Sequence, residues 1–179
     1  MNEAALRRLI REVISEGFPT ELHIFDFDGT LVRTPTPEEG KPVWEAATGE
    51  SWPHKGWWGQ TDSLDLSIFD MPVISSTVSA FNKAMANPNA HVMVLTGRHK
   101  GMHKEVQAIL DANGLKPHEL NLCKSMHSTL PYKLNVLRSW AQRVPLEKIV
   151  MWEDRAEHIG PFEAMSDELR IPVEVHHVT

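Results

Sequence analysis

The sequence has little cysteine and no long apolar run. Its 179 residues include a single cysteine, which excludes a disulfide framework within the chain and favours a reducing compartment. No segment approaches the roughly 20 consecutive apolar residues of a membrane-spanning helix. Arg7, Arg8 and Arg11 interrupt the apolar residues near the N-terminus, unlike a signal peptide. We therefore expect a soluble, cytoplasmic protein that does not use a membrane.

Basic residues are outnumbered by acidic ones. The chain has 18 Lys and Arg residues against 24 Asp and Glu residues, a formal net charge of −6. Proteins that bind nucleic acid broadly need a basic face that displaces counterions from phosphates. The total charge argues against that class, but it is compatible with a local basic patch. The 41% of apolar residues and the length are typical of one globular domain.

Several catalytic motifs are absent as well. There is no Gly-x-Ser-x-Gly, no paired cysteine motif and no Gly-x-Gly-x-x-Gly, so serine hydrolases, zinc ribbons and dinucleotide-binding proteins have little support. There is also no Gly-x-x-x-x-Gly-Lys followed by Ser or Thr. We therefore expect no kinase activity in this chain.

Short apolar runs alternate with amphipathic segments along most of the chain. This alternation implies parallel strands joined by helical crossovers, and hence a three-layer α/β sandwich with a parallel, Rossmann-like sheet. The apolar runs predict buried strands at residues 22–28, 91–95, 120–123, 149–152 and 173–178. Helical periodicity and capping signals predict helices at residues 76–86, 101–113, 129–143 and 155–169.

Two segments depart from this alternation. Residues 1–17 carry apolar side chains at helical spacing and predict an N-terminal amphipathic helix. This helix packs on the main domain of residues 18–179 or on a second copy, or alternatively docks onto another protein. Residues 34–70 are rich in proline and tryptophan and predict a small irregular cap insertion after the first strand. Its tryptophans either stack on a base or sugar or form the core of the cap. They are Trp44, Trp52, Trp57 and Trp58.

Polar residues follow the predicted strands, at the edge where open α/β sheets bind ligands. Asp26 and Asp28 are two residues apart, so on an extended segment their carboxylates face the same side and repel each other. A cation relieves this repulsion, and Asp154 from another strand completes an all-oxygen set that suits Mg²⁺. Lys133, rather than Lys124, is the preferred cation for a phosphoryl group, because its helix leads into the strand that precedes Asp154.

These residues resemble the four motifs of the haloacid dehalogenase (HAD) superfamily. Asp-x-Asp-Gly-Thr occupies residues 26–30, and a Thr, a Lys and an acidic pair follow in the order of the family. The resemblance implies a Mg²⁺-dependent phosphatase in which Asp26 attacks phosphorus to form an aspartyl-phosphate. Asp28 then protonates the leaving group and activates water, and Thr96 and Lys133 hold the phosphoryl oxygens.

The resemblance also implies the remaining site residues. Mg²⁺ would be bound by Asp26, by Asp28 through its backbone carbonyl, and by Asp154. Glu153 and His158 would support these ligands, with Glu153 alternatively a further ligand. The residues expected to bind the phosphate or the rest of the substrate are Gly29, Thr30, Gly97, Arg98 and Arg155.

A finer resemblance indicates the substrate. Gly56-Trp57-Trp58, Leu95 to Arg98 and Glu153 to His158 are similar to the Swiss army knife RNA repair-like HAD domain and, more distantly, to the phosphatase half of polynucleotide kinase-phosphatases. This implies a nucleotide or the phosphorylated end of a polynucleotide, as in nucleic-acid repair.

The basic cluster of residues 98–104 at a predicted helix start opposes the helix dipole, so it marks either an anionic partner or a solvated helix start. Within it, His99 and His103 are spaced as a metal pair, but no third ligand is evident.

Two alternative functions remain open. One is a phosphatase for a small metabolite such as a sugar phosphate, and the other is a non-enzymatic interaction module on the same fold.

Overall fold

The computed structural model describes residues 18–124 and 129–179, so the predicted N-terminal helix at residues 1–17 lies outside the described part of the chain. The described residues form the strands β1 (Glu21–Phe25), β2 (Ala90–His99), β3 (Glu119–Cys123), β4 (Lys148–Glu153) and β5 (Val173–His177). They also form the helices α1 (Pro37–Thr48), α2 (Ser75–Met85), α3 (His103–Ala112), α4 (Thr129–Arg143) and α5 (Ala156–Leu169). Short 3₁₀ turns occupy Thr61–Leu64 and Lys100–Met102.

The five strands pair in the order β3-β2-β1-β4-β5, and every pairing is parallel. β1 is the central strand, with Phe25 opposite Val94 on β2 and opposite Trp152 on β4. Because all strands run in the same direction, their carboxyl ends meet at one edge of the sheet. No helix in the described part of the chain is both long enough and apolar enough to span a membrane.

Helices cover both faces of this sheet. One face packs against α2 and α3, and the opposite face packs against α4 and α5, so each face buries its own apolar cluster away from water. Fully or almost fully buried contributors are Phe81 and Ile109 on the first face and Leu137 and Phe162 on the second. The predicted three-layer α/β sandwich is confirmed.

The insertion after β1 is more regular than predicted, because it contains α1. Thr36 caps this helix by accepting a hydrogen bond from the Glu39 amide at 3.3 Å, while the Glu39 carboxylate accepts one from the Thr36 amide at 3.0 Å. Pro37 takes the first helical position, where the missing N–H costs nothing. Pro42 lies inside the helix, a position at which proline normally predicts a break.

Three of the four insertion tryptophans form a small core. Trp57 lies against Gly40 so closely that a Cβ at that position would overlap its ring, and its Nε1 donates a 2.9 Å hydrogen bond to the Pro35 carbonyl. The Trp52 ring lies 4.5 Å from that of Trp57 and 5.0 Å from that of Trp44. These three rings form the cap core, which is continuous with the apolar cluster on the first face of the sheet.

Candidate functional site

Acidic residues from two neighbouring strands meet at the carboxyl edge of the sheet. Asp26 directly follows β1, and its amide continues the ladder by donating to the Trp152 carbonyl of β4 at 3.0 Å. Glu153 ends β4 and Asp154 follows it. One carboxylate oxygen from each of Asp26, Glu153 and Asp154 lies within 4.8 Å of the others. We call these three residues the acidic trio.

The acidic trio has the chemistry of a divalent-cation site. Burial, and then the charges of Asp26 and Glu153, raise the pKa of the Asp154 carboxyl to about 7. The Oδ1 atom of Asp154 is buried and accepts no hydrogen bond from the described residues. A bound cation would neutralise the negative charge of the crowded carboxylates and would give the buried Oδ1 atom a partner. An all-oxygen donor set suits Mg²⁺. The residues present therefore fit a magnesium ion.

Gly29 lies where the loop after β1 passes Asp154. Its φ of +69° is in the left-handed region, and a Cβ at this position would lie 2.7 Å from Asp154 Oδ2. Its amide closes the loop by donating to the Val32 carbonyl at 2.9 Å. Both the turn and the close approach of Asp154 thus require a glycine after Asp28.

Lys133 connects the acidic trio to α4. Its Nζ lies 2.7 Å from Glu153 Oε2 and 3.0 Å from Asp26 Oδ1, in a fully buried position. Burial alone lowers the pKa of Lys133, but the charges of Asp26 and Glu153 outweigh it and raise the pKa above its usual value. Lys124 is exposed. The structure thus places Lys133, and not Lys124, against the proposed nucleophile.

A second buried group lies next to Glu153. His158 Nδ1 lies 3.2 Å from Glu153 Oε1, and both side chains are almost completely buried. Burial, and then the charge of Asp26, raise the pKa of Glu153, while the cation of Lys133 opposes this rise. Glu153 and His158 therefore lie beneath the site.

The side chain of Asp28 does not join the acidic trio. Its Oδ1 accepts hydrogen bonds from Thr34 Oγ1 at 2.7 Å and from Arg98 Nη2 at 2.8 Å, and its Oδ2 accepts one from Arg98 Nε at 3.0 Å. Arg98 Nη1 donates to Ser63 Oγ at 2.7 Å and to the Trp58 carbonyl at 3.0 Å. Arg98, expected to bind phosphate, is thus engaged in holding Asp28 and the insertion together.

An irregularity in β2 places Arg98 beside Asp28. The strand continues to His99, beyond its predicted end at Leu95, and its register with β3 shifts between Thr96 and His99. Thr96 is fully buried, and its Oγ1 accepts a 3.1 Å hydrogen bond from the Arg98 amide. The hydroxyl of Thr96 therefore stabilises the bend that presents Arg98.

A cavity of about 370 Å³ opens beside Asp26 and Asp28. Of the other predicted residues, Lys133, Glu153, Thr96 and Thr30 lie behind the cavity wall, and Thr30 is fully buried. The remaining lining residues are Gly29, Thr34, Thr36, Trp58, Gly59, Gly97, Arg98, His99, Thr129, Asp154 and Arg155. The cavity thus brings together residues from the first, second and fourth strands, from α4 and from the insertion.

Sequence reasoning missed three lining threonines, Thr34, Thr36 and Thr129. Thr129 begins α4, and a Cβ at Gly97 would lie 2.8 Å from its Oγ1. Its position at the start of a predicted helix was a usable signal, because helix N-termini favour anions. Thr34 carries no motif, and only its contact with Asp28 reveals it. His99 lines the cavity, whereas His103 is exposed, and neither belongs to a metal-binding group among the described residues.

Comparison with protein families gives one match over most of the chain. The model described as "HAD domain family 1 in Swiss Army Knife RNA repair proteins" matches residues 41–178. The matched range includes Lys133 and Asp154 but begins after Asp26 and Asp28. The Asp-x-Asp-Gly-Thr motif of residues 26–30 therefore lies outside the matched range.

Individual proteins resemble this chain only at low sequence identity. An uncharacterized protein of Saccharomyces cerevisiae, YMR265C, is 26% identical over 96% of this chain, and the chain spans 42% of its length. A chain in the structure of the Pnkp1/Rnl/Hen1 RNA repair complex has a TM-score of 0.59 and 13% identity, covering 90% of this chain and 43% of that one. The HAD domain of the effector protein Lem4 from Legionella pneumophila has a TM-score of 0.53 and 12% identity, covering 90% of this chain and 88% of that domain. These structural likenesses show a shared fold.

Proposed function

Because the chain belongs to HAD domain family 1 of the Swiss Army Knife RNA repair proteins, we propose that it is a Mg²⁺-dependent phosphomonoesterase for nucleotides or phosphorylated polynucleotide ends. Membership confirms the resemblance seen in the motifs. We base the activity on one observation: Asp26, bound to the buried Lys133, and Asp154 converge beside the cavity that Asp28 also lines.

The acidic trio divides into two roles in this proposal. Asp26 and Asp154 would hold Mg²⁺, together with the backbone carbonyl of Asp28 that the motif implies. When bound, the ion would supply positive charge for the phosphate oxygens. Glu153 is paired with Lys133 at 2.7 Å, so its role is to keep the Lys133 ammonium directed at Asp26.

Asp26 acts as the nucleophile in the first step. One of its carboxylate oxygens bonds to phosphorus while the bond between phosphorus and the ester oxygen breaks. Asp28 gives a proton to that oxygen, and the alcohol leaves. The nearby ammonium of Lys133 stabilises the phosphoryl oxygens, and donors at the start of α4, such as Thr129, add hydrogen bonds.

Asp28 acts as the base in the second step. It takes a proton from water as the water oxygen bonds to phosphorus and the bond to Asp26 breaks, which releases inorganic phosphate and restores both side chains. Thr34 and Arg98 Nη2 occupy Oδ1, whereas Oδ2 has one hydrogen-bond donor, Arg98 Nε, among the described residues. Oδ2 is therefore the atom we assign to proton transfer.

The activity and the substrate class are tested with one panel. Purified protein is incubated with 3′- and 5′-phosphorylated oligonucleotides, mononucleotides and a sugar phosphate, in Mg²⁺ or in EDTA. We expect Mg²⁺-dependent phosphate release from nucleotides or oligonucleotide ends, and no turnover by Asp26→Asn. Turnover of the sugar phosphate alone would indicate the small-metabolite alternative, and no turnover of any substrate would favour the non-enzymatic module.

A further inference from the structure

The insertion presents one tryptophan differently from the other three. Trp57 is 3% exposed and belongs to the cap core, whereas its neighbour Trp58 is 41% exposed. Trp58 also lines the cavity beside Asp26. The cap core therefore does not account for Trp58, whose ring borders solvent and the site at once.

Arg98 holds Trp58 at two points. Arg98 Nη1 donates a 3.0 Å hydrogen bond to the Trp58 carbonyl, and the guanidinium carbon lies 5.0 Å from the centroid of the Trp58 ring. The same guanidinium pairs with Asp28 at 2.8 Å. A single buried side chain thus positions the exposed ring relative to the Asp28 carboxylate.

This arrangement separates the cavity into two chemical environments. Around Asp26, the wall consists of threonines, glycines, Arg155 and the carboxylates that would hold the cation, which together suit a metal-bound phosphate and a sugar. At the insertion, it offers a large, fixed indole. A nucleotide has the same order of groups, because its planar base lies one sugar away from the phosphate.

From this geometry we infer that Trp58 forms a base-stacking subsite, in which its ring stacks on the nucleobase next to the scissile phosphate. This subsite deepens the proposed function and depends on it for the position of the phosphate. Stacking uses the π-face that every base carries, so the subsite accepts any base. Because Arg98 already fixes the ring, little side-chain freedom is lost when the base binds.

The test compares substrates that differ only in the terminal base. Oligonucleotides with a 3′- or 5′-phosphate are prepared with either a normal terminal nucleotide or an abasic one, and a free mononucleotide is measured in parallel. We expect wild type to prefer the base-bearing substrate in kcat/KM by roughly tenfold or more, the range of base–aromatic stacking. Trp58→Ala should lose most of this preference through KM, and Trp58→Phe should retain much of it.

Leu66→Ala is the matched control, because Leu66 is an exposed apolar residue of the same insertion that does not line this cavity. It should keep the wild-type preference. Equal kcat/KM for base-bearing and abasic substrates in wild type, or an unchanged preference in Trp58→Ala, would overturn the subsite but leave the phosphatase intact. A similar loss in Leu66→Ala would also overturn it.

Binding of the same phosphates to Asp26→Asn and to the double variant with Trp58→Ala is measured by calorimetry, which needs no turnover. We expect the double variant to bind the base-bearing phosphates about tenfold more weakly and the abasic ones equally. If no phosphate is hydrolysed by wild type, the proposed function fails, and this binding difference still decides the subsite. Equal dissociation constants for the two variants would then overturn it.

Discussion

Arg98 and Asp28 form an ion pair across 70 residues of sequence, with Arg98 Nη2 2.8 Å from Asp28 Oδ1 and Arg98 Nε 3.0 Å from Oδ2. Arg98 is almost fully buried, and its remaining donors bind Ser63 and the Trp58 carbonyl. One guanidinium therefore joins the loop after β1, the end of β2 and the insertion. A lysine has the same charge but lacks the planar fork that makes these bonds together.

Arg98→Lys should lower kcat/KM by roughly a hundredfold, because a proton-transferring carboxylate that shifts by about 1 Å loses catalysis on that scale. Steady-state kinetics on the preferred phosphoester measures this loss, and circular dichroism confirms folding. Arg138→Lys is the control, since Arg138 makes an exposed ion pair with Glu168 away from the site. Wild-type kinetics in a folded Arg98→Lys protein would refute a positioning role for Arg98.

Mg²⁺ should stabilise the protein by binding to Asp26 and Asp154 of the acidic trio. At a concentration about 100 times its dissociation constant, a ligand of the folded state contributes about 2.7 kcal/mol, which raises Tm by roughly 5–10 °C in a chain of this size. Thermal unfolding with Mg²⁺ and with EDTA measures this shift. In Asp154→Asn the shift should disappear.

The same variant should not be less stable than wild type in EDTA, because an amide replaces a carboxylate crowded by Asp26 and Glu153. Asp167→Asn removes an exposed acid outside the trio and should retain the full Mg²⁺ shift. An equal Mg²⁺ shift in Asp154→Asn and wild type would exclude Asp154 as a ligand.

Gly29→Ala should lower the free energy of unfolding more than Gly114→Ala does. Gly29 and Gly114 have nearly the same φ, +69° and +70°, but a Cβ at Gly29 would lie 2.7 Å from Asp154 Oδ2, whereas a Cβ at Gly114 would meet nothing within 4 Å. Each alanine costs about 1–2 kcal/mol from the left-handed backbone. The additional loss in Gly29→Ala then reports the contact with Asp154.

Urea unfolding of the two alanine variants gives this difference, and kinetics gives its functional consequence. We expect Gly114→Ala to retain wild-type turnover, and Gly29→Ala to lose most of it because Asp154 is displaced. Equal free energies of unfolding for the two variants would show that Asp154 does not constrain this loop.

The sequence was sufficient for the fold and for the residues at strand ends. Asp26 and Asp154 each follow a buried apolar run, and the rule that parallel strands end at one edge brings them together. Lys133 was likewise predictable, because its helix leads into β4. Local hydrophobic periodicity and the order of successive strands and helices are both visible in the sequence, so these positions could be predicted from it.

Contacts made by the insertion were not predictable in this way. Pro42 suggested an irregular segment, but the Thr36 capping box and the packing of Trp57 against Gly40 stabilise α1 despite it. The bonds from Arg98 to Ser63 and Trp58 depend on how this segment folds back across the sheet edge. Such contacts depend on tertiary packing, and the spacing of these residues along the sequence does not predict them.

Tyr132 should titrate well above the usual range for a phenol. It is the one tyrosine in the sequence, and its hydroxyl donates a 2.9 Å hydrogen bond to the Leu122 carbonyl. Burial, and then the negative charges of Cys123 and Glu119, raise its pKa to about 12. Ultraviolet absorbance of the phenolate follows this single group, because tryptophan does not ionise in the same range.

Folded protein should therefore show its phenolate transition near pH 12, and protein in concentrated urea near pH 10. The pKa is raised in the folded state, so the unfolded chain loses its proton first as the pH rises above about 10, and stability falls from there towards pH 12. Tyr132→Phe cannot ionise and should lose less stability across this window, measured by urea unfolding at each pH. A folded-state transition near pH 10 would mean that Tyr132, next to Lys133 on α4, is not held against β3 as described.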